Sequence, residues 1–157
     1  GAFGLGAVGL GQLGSAVGGG ALVSALWKTF GRASAHPNPD ALSPFNLAVA
    51  SAGFVAMAVI GTTDVWAFAI LSAAVLGAAG TYFGVTMQSL IQTDLPDDMR
   101  GRVMSIWVVV GLGSTAIGAF LLGVLVEMIG LAAACLLLAS VGFVTILALS
   151  RRTHRTP

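Results

Sequence analysis

The chain has 157 residues, of which 57% are apolar and only 8% charged, with a mean hydropathy of +0.96 and a formal net charge of +1. A soluble domain carries about 25% charged residues, so this composition excludes a chain that covers a water-facing surface of its own size. The near-neutral balance also supplies no basic field for nucleic acid and no acidic tail.

The single cysteine, Cys135, lies in an apolar run, which excludes an intrachain disulfide and a cysteine metal cluster. The sequence starts at Gly1, without Met, directly in apolar residues and without a basic n-region. A piece of a longer polypeptide is therefore expected.

In chain order, the charged residues leave five charge-free windows: 1–27, 41–63, 65–93, 103–126 and 128–150. Each exceeds the roughly 20 apolar residues that a helix needs to cross the hydrocarbon core. Backbone in lipid must satisfy its own hydrogen bonds, and the alternation of a membrane β-barrel is missing. The expected fold is all-α and integral to the membrane. Its spans are about 4–27, 45–62, 65–92, 103–126 and 131–150, with loops at 28–44 and 94–102 and a tail at 151–157.

Lys28 and Arg32 fall in the first link, Arg100 and Arg102 in the third, and Arg151, Arg152 and Arg155 in the tail. The second and fourth links hold only Asp64 and Glu127. Every basic residue is thus assigned to one side, which the positive-inside rule makes cytoplasmic. Segment 33–44 holds three of the five prolines and reads as a loop. Asp64 is expected to cap a helix starting at Val65, Pro96 to end or kink the third helix, and Gly130 to mark the turn before the fifth.

Glycine is dense in the first window, at positions 1, 4, 6, 9, 11, 14, 18, 19 and 20. Small residues let membrane helices approach closely, so Gly4, Gly11, Ser15 and Gly18, with the Gly14–Gly18 pair, read as a packing stripe. The fourth window has a similar stripe at Trp107, Gly111, Ser114, Thr115 and Gly118. Spans one, three and four read as inner helices, and spans two and five as lipid-facing supports. Gly4–Gly9 and Gly9–Gly14 also match GxGxxG, but neither follows a strand, and the first acid is Asp40.

Polar side chains inside the spans are few. Thr81, Gln88 and Gln92 lie within about 40° of one another on a helix, with Tyr82 beside them. Gln12 lies in the first span. Interhelical hydrogen bonds, worth about 0.6 kcal/mol each, explain these residues as well as a substrate cavity does. The cavity candidates are Gln12, Thr81, Tyr82, Gln88, Trp107, Ser114 and Thr115. No ionisable side chain lies deep in a window and no catalytic, metal or nucleotide motif is present, so neither enzyme chemistry nor a cofactor is expected.

The stretch Gln92-Thr93-Asp94-Leu95-Pro96-Asp97-Asp98-Met99-Arg100-Gly101-Arg102-Val103-Met104-Ser105 resembles the loop between helices ten and eleven of the major facilitator superfamily. The resemblance is to its drug and siderophore efflux branch. Residues 116–130 resemble that branch's helix eleven and outer turn, with Thr115 standing where those proteins often carry proline. Residues 27–32 resemble the degenerate loop between helices eight and nine, without its acidic residue.

The resemblance implies helices eight to twelve of a twelve-helix transporter whose halves rock about a midplane site. The partners implied are the missing N-terminal half, the lipid bilayer and a small-molecule substrate. It also implies a cytoplasmic gate at Asp97, Asp98, Arg100, Gly101 and Arg102, where positive-inside anchoring is the plainer alternative. The function expected is proton-linked efflux of amphipathic small molecules across the plasma membrane. The alternatives are an importer or uncoupled facilitator, and a non-transporting assembly module.

Overall fold

The computed structural model describes residues 6–30, 43–94 and 97–153. The described residues form five helices: α1 (Gly6–Phe30), α2 (Pro44–Thr62), α3 (Trp66–Asp94), α4 (Asp97–Ile129) and α5 (Leu131–Thr153). All five are long and apolar enough to cross a membrane. They pack as a row in the order α1, α3, α2, α5, α4.

The helix ends follow local chemistry. Ser43 accepts a hydrogen bond from the Asn46 amide at 3.3 Å, and Pro44 takes the first helical position, where it has no intrahelical N–H to lose. A proline expected in the loop thus opens α2. At the start of α3 the Thr63 hydroxyl, rather than Asp64, accepts from the Val65 amide at 3.3 Å, and the Val65 carbonyl takes the first helical bonds. Gly130, at φ +82°, is the whole connection between α4 and α5. That left-handed backbone is one that side chains disfavour. Pro96 and most of the 28–44 and tail segments lie outside the described residues.

The segment expected as the loop 94–102 is helical from Asp97 onward. Asp97 and Asp98 are the first two residues of that helix. The helix thus begins six residues before Val103, where the charge-free window opens.

Contacts fix the helix directions. A Cβ on Gly20 would strike the Ala74 carbonyl, and one on Gly77 would strike the Val17 carbonyl. Farther along both helices Lys28 meets Thr86, so α1 and α3 run parallel, with Val17 level with Ala74. Phe45 meets Tyr82 while Gly53 lies against Ala79, making α2 antiparallel to α3. Gly61 packs on Cys135 and Gly142 on Phe54, making α5 antiparallel to α2. With α4 and α5 joined through Gly130, one end of the bundle carries Lys28, Arg100, Arg102, Arg151 and Arg152. Asp64 and Glu127 lie at the other.

Among the described residues, packing does not follow glycine density. The glycine-poor α2 occupies the middle of the row, while no residue of α4 from Met99 to Ile129 is buried. In α1 the tight approach uses Gly20; Gly11, Gly14 and Gly18 would accept a Cβ without meeting anything. The expected stripe faces away from α3 because the contact face runs through Gly9, Gly20 and Ser24.

Candidate functional site

The densest polar cluster among the described residues joins α1, α2 and α3 at the basic end. Lys28, in the last turn of α1, donates a hydrogen bond from Nζ to the Thr86 hydroxyl. That hydroxyl is buried, with Thr86 1% exposed, and donates in turn to the Tyr82 carbonyl at 2.8 Å. The same ammonium lies 4.1 Å from the centre of the Tyr82 ring. Phe45, from the first turn of α2, meets that ring edge-on at 5.6 Å and 75°. A cation over an aromatic face contributes about 0.5–2 kcal/mol, more as water is excluded.

Sequence reasoning counted Lys28 only as an orientation signal. Thr86 and Tyr82 lie more than fifty residues away. A usable sign was present: two parallel spans bring the end of the first beside the second half of the third.

The expected cavity residues do not converge. Gln12 lies level with Ala69 and Gln88 about 28 Å farther along the same axis. Both are exposed, near opposite ends of the α1–α3 pair. Thr81 and Tyr82 are half-buried between them, with Tyr82 committed to Lys28 and Phe45. The Gln92 side chain lies outside the described residues.

Trp107, Ser114 and Thr115 stand on α4, at the other end of the helix row. Ser114 and Thr115 occupy the middle of the apolar stretch Met99–Ile129, the depth expected of a midplane site. Their hydroxyls donate to the Gly111 carbonyl at 3.0 and 2.8 Å, so each is satisfied within its own helix. Trp107 is half-buried. At the basic end, Arg100, Gly101 and Arg102 are exposed on the first turns of α4, and the Asp97 and Asp98 side chains lie outside the described residues.

Apolar hollows flank α2, among them a shallow one of about 300 Å³ against α5, lined by Phe54, Val55, Ala58, Leu136 and Phe143, and two that α3 helps to line. One of about 370 Å³ lies between α3 and α5 and is lined by Leu47, Phe54, Met57, Leu76, Phe83 and Ile146 among others. None of the expected cavity residues lines it. The other, about 300 Å³, is a groove between α1 and α2 floored by α3, and Tyr82 closes its basic end.

The family of transmembrane secretion effectors matches residues 2–156, nearly the whole chain. The enterobactin exporter EntS of Citrobacter koseri is 32% identical over 115 residues, which are 73% of this chain and 26% of the exporter. The aligned part thus spans about a quarter of that relative's length. No solved structure matches.

Proposed function

Since the chain belongs to the transmembrane secretion effector family, a branch of the major facilitator superfamily, we propose that it forms part of the C-terminal half of an efflux transporter. In this reading α1 to α5 are helices eight to twelve, and the basic end faces the cytoplasm of the plasma membrane. The rest of the transporter covers α1 and α4. The substrate is an amphipathic small molecule, moved by alternating access and driven by protons.

One observation supports this above the others. α4 has no buried residue from Met99 to Ile129 and turns Gly111, Gly113, Gly118, Ser114 and Thr115 to open space, and α1 leaves Gly11, Gly14 and Gly18 open, whereas both glycines of α2, Gly53 and Gly61, lie against neighbouring helices. Helices with such faces suit a seam where a second bundle approaches or a cavity opens. Ser114 and Thr115 are then the best-placed polar groups for a midplane site, ahead of Gln12 and Gln88. The exposed Arg100 and Arg102 suit a cytoplasmic latch.

The test is substrate accumulation by inside-out vesicles carrying the full-length protein. Accumulation should follow an imposed proton gradient and vanish with a protonophore, and vesicles holding residues 1–157 alone should show none. Flux indifferent to the gradient would indicate an uncoupled facilitator. Coupled flux only in the opposite direction would indicate an importer, and no flux from the full-length protein a non-transporting module.

A further inference from the structure

We propose that the groove between α1 and α2 binds an anionic phospholipid, with Lys28 holding its phosphate and the groove taking an acyl chain. The inference goes beyond the transport reading and does not depend on it.

Depth is the first argument. Thr86 lies 20 residues beyond Trp66, about 30 Å along α3 at 1.5 Å per residue, which is the thickness of the hydrocarbon core. Lys28 is bonded to Thr86, so its ammonium stands at the hydrocarbon boundary, where lipid phosphates begin. Trp27, Phe45 and Tyr82 surround that level as interfacial aromatics do.

The groove has the matching shape. From Tyr82 it runs past Ala78 to Val75 on α3 and past Val49 to Ala52 on α2, about 10 Å toward the membrane centre. An acyl chain takes that direction from its headgroup. The lining is almost wholly apolar, and Val23, Trp27 and Phe45 on its rim are 65%, 67% and 62% exposed, so the groove opens outward from the helix row.

Charge complementarity selects the headgroup. An ammonium has three donors; Lys28 gives one to Thr86 and faces the Tyr82 ring, and no carboxylate pairs with it among the described residues. Thr86 and Tyr82 hold the ammonium in place, so little rotamer freedom is left to lose on binding. Basic pockets between membrane helices at the cytoplasmic side recognise anionic headgroups in this way.

The experiment is native mass spectrometry of the purified full-length protein, titrated with phosphatidylglycerol or phosphatidylcholine of identical acyl chains. Wild type should retain phosphatidylglycerol at a roughly fivefold lower half-saturating concentration, the size of one lysine's attraction to an anionic lipid. K28M should reduce that preference to none, and K28R should keep most of it. Ala52→Phe, at an exposed position on the α2 wall of the groove, should weaken both lipids, and inorganic phosphate should displace neither.

Equal retention of the two lipids by wild type, or an undiminished preference in K28M, would overturn the proposal. So would displacement by inorganic phosphate, which would make the ligand a free anion. Should K28M fail to fold, Ala52→Phe decides alone: unchanged phosphatidylglycerol binding removes the groove as the site.

Discussion

α1 and α4 are the two helices richest in glycine, yet they use it differently. α1 brings Gly20 against the backbone of α3, and α3 answers with Gly77 against the backbone of α1. Neither position has room for a methyl group. On α4, Gly111, Gly113, Gly118 and Gly123 meet nothing within contact distance, and the helix touches the bundle chiefly through α5. Glycine density therefore does not identify a packed face. Two backbones meet only where a glycine on each helix comes level with the other, and that depends on the register between helices.

The largest effect should come from filling the reciprocal contact. Gly20→Leu and Gly77→Leu should each destabilise the full-length protein by about 3 kcal/mol, because the obstructing atoms are backbone and cannot rotate away. In residues 1–157 folded in detergent, Gly18→Leu, two residues along the same helix, meets open space and should stay within about 0.5 kcal/mol, while Gly20→Leu keeps its full loss. Denaturant unfolding in mixed micelles measures both. Equal losses at Gly18 and Gly20 would mean that α1 and α3 do not meet in this register.

The contrast also separates what the sequence could reveal from what it could not. The five helices were legible because charge interrupts the apolar sequence only where spans end. The direction of each helix followed from the same pattern. Which face of α1 is buried was not legible, because seven glycines between Gly6 and Phe30 leave several stripes equally plausible. The Lys28–Tyr82–Thr86 cluster was hidden for a related reason. It depends on the register of two helices separated by more than fifty residues. The distance between Gln12 and Gln88, by contrast, could have been counted: parallel spans put an early residue of one far from a late residue of the other. The small-residue face of α4 was recognised, although the composition alone did not show that its neighbours within this chain leave it open.

A smaller effect tests the α4–α5 side. Gly130 connects the two helices at φ +82°, and its amide donates to the Val126 carbonyl at 3.0 Å. A side chain there should cost about 1–2 kcal/mol through backbone strain alone, since nothing obstructs the Cβ. Gly130→Ala should therefore lower the unfolding midpoint, and Gly130→Asn, whose side chain tolerates the left-handed region, should lower it less. Equal losses for the two would mean that the connection has another conformation in the membrane.

The smallest effect is expected on the open face of α4, where its sign is the informative part. Gly113→Ala adds a methyl group where the described residues leave space, and it removes a helix-interior glycine. Helix propensity alone then predicts a gain of up to about 1 kcal/mol. That gain should appear for residues 1–157 folded in detergent, where only α5 lies beside this helix to any extent. In the full-length protein, on the reading proposed above, the outcome depends on what faces Gly113. A close-packed helix from the other half would turn the gain into a loss, because the added methyl would need space that the second helix occupies. A water-filled cavity would preserve stability while altering transport of the bulkiest substrates first. Thermal unfolding of both forms, with transport measured for the full-length one, separates these cases. A gain in both forms with unchanged transport would place Gly113 against lipid and remove this face of α4 from the proposed seam.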